Sequence, residues 1–374
     1  MSRCRYSYFL EDEPALEARL DAFLGRLGDD LGQQPFQRGV AALVLGGGYG
    51  RGEGGVFRAD DAGAAALYND LEFYVFVADS GAEAALAGWC HRWERDGTAE
   101  LGIDVEFKRL PAGVFRTAAP TMFYFDLLQG HRLVWGSGQL LIDAPATLSD
   151  PAQIPLSEPA RLLFNRGTGL LFARWQLADY PADPDGFVQR NHAKARLALG
   201  DAVLAAAGRH DGSCRERSRR LAAGSFPAPA NFARIQAWHA QGVEFKLRPR
   251  HRRLEPAALA TENRELTAAW LETFLWLETR RLDTPIADGR AYAALPRRLF
   301  PASSRVHNLL LHVRDRLRRG AALPGWLDYP RGALQRALVA AHSPNVGEPQ
   351  AAVCLGATRD TWRAIYRRWW ACYN

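Results

Sequence analysis

Apolar residues recur at three- and four-residue intervals between positions 13 and 31 (Leu16, Leu20, Phe23, Leu24, Leu27). That spacing predicts an amphipathic helix, ended by Gly32 and Pro35. Val40 to Leu45 is a continuous apolar run and reads as a buried strand that stops at Gly46. Val56 to Ala66 is polar and alanine-rich, a hairpin excursion or a loop. The stretch YNDLEFYVFV then alternates: Asp70 and Glu72 share one face of a strand, and Leu71, Phe73 and Val75 share the other, which faces a core. A helix is expected from Ala82 to Trp93. Leu101 to Leu110 alternates again, with Ile103, Val105 and Phe107 on one side and Asp104, Glu106 and Lys108 on the other. The segment FYFDLLQGHRLVWG predicts a short helix, a turn at Gly130-His131 and a strand ending at Trp135-Gly136.

Pro145, Pro151, Pro155 and Pro159 mark a linker across 143–159. Beyond it the periodicity is helical, over 159–177, 186–207, 215–223, 264–282, 305–319, 332–341 and 358–373. The expected architecture is α+β: a mixed sheet with flanking helices in residues 1–145, followed by an all-α domain in 155–374.

At 374 residues with 48% hydrophobic content, the chain can bury two cores. No apolar run reaches the roughly 18 residues that a membrane span needs, and the N-terminus lacks the apolar core of a signal peptide. The five cysteines are scattered, without a CxxC pair, which points away from a disulfide framework or a zinc site. The expectation is a soluble cytoplasmic protein with no membrane partner. The net charge of +6 is almost wholly arginine, since Lys108, Lys194 and Lys246 are the only lysines. Such a mild excess suits a phosphate-bearing substrate and falls short of a nucleic-acid footprint, so nucleic acid is an acceptor that is not favoured.

The candidate chemistry lies between Leu43 and Phe76. Two acids one residue apart on an apolar strand repel each other and resist desolvation unless a cation sits between them. With Asp104 on a later strand, and Glu106 as a spare, three carboxylates could hold two Mg²⁺ ions about 4 Å apart. The turn Gly46-Gly47-Gly48 lets backbone N–H groups approach phosphates where no Cβ intervenes, and Arg51 adds a fixed charge. Each feature also has a plainer reading: a structural turn, a solvated strand face, a surface aspartate. Gly50-x-Gly52-x-x-Gly55 matches a dinucleotide fingerprint, but no amphipathic helix follows it. Lys194 lies in a helical segment, either as a phosphate-reaching point charge or as a solvated residue. Asn165 and Arg166 border two glycines that suit either a cleft or helix packing. Trp362, Trp369 and Trp370 with Arg363, Arg367 and Arg368 read better as a core stripe with arginines outside than as a nucleic-acid surface.

Taken together, Gly47-Gly48-Tyr49-Gly50-Arg51-Gly52, then Asp70-x-Glu72 on a strand, then a further acid on a later strand, resemble the polymerase-beta-type nucleotidyltransferase superfamily. The resemblance covers roughly residues 36–142. It implies a nucleoside triphosphate, ATP first among the candidates, gripped at Gly47 and Gly48 with Arg51 and Lys194 reaching its phosphates. It places Mg²⁺ on Asp70, Glu72 and Asp104, with Asp104 as general base. A nucleoside monophosphate would then pass to a hydroxyl acceptor that the sequence does not identify. The chain departs from the pattern in one respect: 22 positions separate Gly48 from Asp70, where about ten are usual. That insertion, 53–68, is either a lid or a disabling loop. It motivates two alternatives: an inactive nucleotidyltransferase-fold protein that binds a nucleotide or a partner, and a toxin–antitoxin-type enzyme that modifies tRNA or protein.

Overall fold

Strand β4 (Leu71–Val77) and strand β1 (Val40–Leu45) form the centre of a four-stranded sheet of order β5-β4-β1-β6. The computed structural model describes residues 7–59, 63–79, 81, 83–180, 182–183, 186–250, 253–296 and 298–373. β1 pairs antiparallel with β4 and with the edge strand β6 (Arg132–Gly136), whereas β4 pairs parallel with β5 (Val105–Pro111). The sheet is therefore mixed, and both of its faces are covered. Leu71, Phe73 and Val75 join Leu43 and Leu45 beneath helix α1 (Pro14–Gln33), where Leu20, Phe23 and Leu27 are buried. On the opposite face Tyr74 and Phe76 pack with Ala42, Val44, Phe115 and Leu127. Each such large apolar side chain contributes about 1.5–3 kcal/mol by leaving water.

The turn after β1 is the single helical turn α2 (Gly47–Gly50). A two-stranded hairpin follows, β2 (Val56–Phe57) against β3 (Ala66–Leu67), so the excursion anticipated over 56–66 is a hairpin. Residues 60–62 at its far end lie outside the described residues. Helix α3 (Glu83–Leu101) runs well past Trp93, the expected end, and β5 starts correspondingly later. Ala82, where that helix was expected to open, also lies outside the described residues. Helix α4 (Met122–Gln129) leads into β6, and the short α5 (Gln139–Ile142) follows.

The region after Ser157 is helical: α6 (Ser157–Asp179), α7 (Phe187–Ala206), α8 (Cys214–Ala223), α9 (Phe232–Leu247), α10 (Pro256–Leu282), α11 (Gly289–Ala293), α12 (Arg305–Arg319), α13 (Arg331–His342), α14 (Gly347–Cys354) and α15 (Trp362–Tyr373). The chain is α+β overall. It divides into two compact units: residues 1–158, 203–226 and 238–252 form the first, and 159–202, 227–237 and 253–374 the second.

The second unit has an aromatic core of Trp175, Trp270, Trp362 and Tyr366. Trp362 and Trp369 are buried, while Arg363 and Arg367 lie over the Trp175 ring at 5.5 and 4.9 Å. Trp362 and Trp369 thus belong to the expected core stripe, whereas Trp370 is only half-buried. Gly167 presses its backbone against the Trp270 indole, 2.4 Å from where a Cβ would sit. Helix packing accounts for that glycine.

No helix of the described residues is long and apolar enough to cross a membrane.

Candidate active site

The turn and the acid strand, remote in sequence, meet in the first unit. The Gly46 amide donates to the Glu72 carbonyl at 2.9 Å, which seats the start of α2 on β4. Gly47 has φ +62°, a left-handed backbone that side chains disfavour, and a Cβ there would lie 2.7 Å from Glu72 Oε2. Only a glycine lets this turn close on the carboxylate. Gly48 and Tyr49 continue it, and the first amides of such a turn have no acceptor within it.

Glu72 projects from β4 between other polar groups. Tyr74 Oη donates to Glu72 Oε2 at 3.3 Å, and the Lys108 ammonium stands 3.5 Å from Glu72 Oε1 and 3.6 Å from Glu106 Oε2. The parallel ladder pairs Glu72 with Glu106 and Tyr74 with Lys108, which explains the grouping. Burial and the adjacent Glu72 charge push the Tyr74 phenol well above its ordinary value. Asp70 and Asp104 are exposed and each directly precedes its strand rather than lying within it; the Leu71 amide donates to the Asp104 carbonyl at 2.9 Å.

Among the described residues, no three His, Cys, Asp or Glu side chains are grouped to hold a metal ion. The donor chemistry nevertheless fits a hard divalent cation, since carboxylate oxygens are what Mg²⁺ takes. The cation now between Glu72 and Glu106 is the Lys108 ammonium, on a side chain about half exposed.

Arg51 turns toward α4, with Nη1 3.9 Å from Asp126 Oδ2. Asp126 Oδ1 lies 2.9 Å from Nε2 of the buried His210. Burial would raise the Asp126 carboxyl, but the His210 hydrogen bond and the Arg51 charge outweigh it and hold it low. Lys194 is an exposed residue of α7, within the second unit.

The sequence reading passed over Glu53, which has the most enclosed carboxylate around the turn. It is 2% exposed. Ser213 Oγ donates to Oε1 at 2.7 Å, the Cys214 amide donates at 2.9 Å, and Lys246 Nζ lies 3.3 Å from Oε2. Burial opposes its ionisation, but the Lys246 charge and the bonds from Cys214 and Ser213 prevail and lower its pKa. Glu53 thereby caps the N-terminus of α8, where a negative charge is favoured, and its own amide donates to the Gly48 carbonyl at 2.8 Å. The base of the insertion is fixed as well. Buried Tyr49 donates from Oη to the Gly55 carbonyl at 3.3 Å and accepts from the Tyr68 amide at 3.1 Å, and the Gly55 amide donates to Asn69 Oδ1 at 2.7 Å. Burial pushes the Tyr49 phenol up to about 12. The signal for Glu53 was its position as the one acid in GRGEGG, and for Lys246 its rarity in an arginine-dominated chain.

No protein-family model, curated protein or solved structure matches the chain.

Proposed function

We propose that this protein is a Mg²⁺-dependent nucleotidyltransferase that moves a nucleoside monophosphate from a nucleoside triphosphate, ATP first among the candidates, to a hydroxyl acceptor. The observation that carries the reading is the contact between Gly47 and the Glu72 carboxylate. It joins the glycine turn to the acidic strand across 24 intervening positions. The triphosphate would lie along Gly47 and Gly48. Asp70, Glu72 and Asp104, with Glu106 opposite Glu72 on the ladder, are the carboxylates that would hold the metal. Bound Mg²⁺ supplies charge neutralisation for the departing pyrophosphate. The acceptor oxygen forms a bond to the α-phosphorus as the bond to the β-phosphate oxygen breaks, and the hydroxyl proton passes to a carboxylate, for which Asp104 is the candidate.

The test is Mg²⁺-dependent pyrophosphate release, screened over the four triphosphates against pools of hydroxyl acceptors. Asp70→Asn should lower turnover by at least about a hundredfold, in keeping with the weight of electrostatic stabilisation at such sites. Turnover unchanged in that variant sinks the mechanism.

A second reading is favoured by Lys108, whose ammonium lies between Glu72 and Glu106. A protein that binds nucleotide without chemistry could use that lysine in place of a metal. Calorimetry with ATP, with and without Mg²⁺, separates the two: ATP binding that is indifferent to Mg²⁺ and yields no product supports the binding protein.

A further inference from the structure

Helix α12 in the second unit is built inside out. Its inward face consists of Asn308, His312 and Asp315, each fully buried. All three have partners there. Asn308 Nδ2 donates to the Leu327 carbonyl at 3.1 Å, His312 Nε2 lies 3.0 Å from the Asp328 carbonyl, and Asp315 accepts from Tyr373 Oη. The apolar residues point the other way. Leu317 is 81% exposed, Val306 70% and Leu310 61%, with Leu309 and Val313 also exposed between them. At about 100° per residue these five fall within a single stripe roughly 100° wide. Trp326 and Leu327 are exposed next in the chain, and Trp326 stacks on His312 with ring centroids 6.0 Å apart.

A soluble helix ordinarily turns its apolar stripe inward, and a contiguous exposed apolar patch marks a surface that meets something else. The charges identify what it meets. On the same helical projection Arg305 and Arg316 fall along one edge of the stripe and His307 and Arg318 along the other, beside Arg314, whose guanidinium pairs with Asp315 at 3.1 Å. The only acid of the helix, Asp315, is buried. A second copy of this chain would bring arginine against arginine on both edges. Nucleic acid would engage the arginines but give the leucines nothing. The protruding side chains form a crest on one helix, which can enter a yielding surface without needing a groove to receive it.

We propose that α12 is an interfacial helix that lays its Val306–Leu317 stripe into the headgroup layer of an anionic lipid bilayer, with arginines on both edges bound to lipid phosphates. The expectation of no membrane partner rested on the missing apolar span. That bears on crossing a bilayer and not on lying along one. This site uses none of the residues of the proposed nucleotidyltransferase centre, so the two proposals stand or fall separately.

Co-sedimentation of the full chain with vesicles tests it. The chain should pellet with phosphatidylcholine vesicles containing about a third phosphatidylglycerol, fail to pellet with phosphatidylcholine alone, and lose binding as salt rises. Leu310→Ser/Leu317→Ser and, separately, Arg316→Glu/Arg318→Glu should each weaken binding at least tenfold while leaving the thermal midpoint and far-ultraviolet circular dichroism unchanged. All four positions are on the surface, so the fold should survive both changes. A chain that stays in the supernatant with phosphatidylglycerol vesicles overturns the proposal, as does binding that neither variant weakens. A dimer by light scattering that Leu310→Ser/Leu317→Ser dissociates would assign the face to a second copy and overturns it equally.

Discussion

Two glutamates border the glycine turn, and each meets a lysine at almost the same distance: Glu53 to Lys246 at 3.3 Å and Glu72 to Lys108 at 3.5 Å. Their surroundings give the two pairs opposite roles. The Glu53 side chain is 3% exposed and Lys246 17%, whereas Glu72 is 27% and Lys108 48%. Glu53 also accepts from Ser213 and the Cys214 amide, so its charge is spent on holding α8 and the turn together. Glu72 faces a long, half-solvated lysine that can swing away. An enclosed, fully partnered carboxylate is a clamp, and an open one beside a half-exposed lysine leaves room for the metal-binding role proposed above. Distance alone does not separate a structural charge from a reactive one.

Removing the clamp should cost most. Glu53→Ala leaves Lys246 with no buried counter-charge and the Cys214 amide at the start of α8 without its acceptor, so unfolding in urea should show a loss of about 3–5 kcal/mol, the range for breaking a buried pair on one side. A loss below about 1 kcal/mol would mean that Glu53 is no clamp. The same charge sets an acid response. Because its folded pKa lies below the unfolded one, Glu53 contributes stability above the ordinary glutamate range, and that contribution is lost as pH falls through the lowered folded value. Titration in acid should therefore show a destabilisation that the Glu53→Gln variant lacks.

Gly47→Ala sharpens the contrast from the turn itself. It forces a Cβ into a left-handed position, at roughly 1–2 kcal/mol, and against Glu72 Oε2. The expected result is a modest fall in thermal midpoint together with loss of pyrophosphate release, since Glu72 must move. Lys108→Met lies at the small end. An exposed ion pair is worth about 0.2–1 kcal/mol, so stability should barely change in a denaturant titration. A large drop would show that Lys108 is as structural as Lys246.

Much of the fold was legible in local pattern. The alternation of Leu71, Phe73 and Val75 against Asp70 and Glu72 is set by the two-residue repeat of a strand, and the structure buries the first three as that repeat requires. Helical spacing likewise put Trp362, Tyr366 and Trp369 on one buried face. The limits of α3 and β5 were less legible, because apolar periodicity fades before the helix does and leaves Asp104 ahead of its strand. Helix α9 (Phe232–Leu247) was missed outright, and with it Lys246.

By itself the sequence determined the α+β class, the face assignments of β4 and the existence of a glycine turn followed by an acid pair. Each follows from periods of two or 3.6 residues and from backbone sterics, which act between near neighbours in the chain. Only the tertiary structure decided that Gly47 touches Glu72, that Lys108 stands between Glu72 and Glu106, and that Glu53 rather than Glu72 is the locked carboxylate. It also decided that α12 turns Asn308, His312 and Asp315 inward and its leucines out. The spacing of α12 fixes which residues share a stripe, but which stripe is buried depends on the partners that the rest of the unit presents, here Tyr373 and the backbone at Leu327 and Asp328. Those partners come from segments remote in the chain. The free energy of a buried charge is set by everything packed around it, and no local pattern records that.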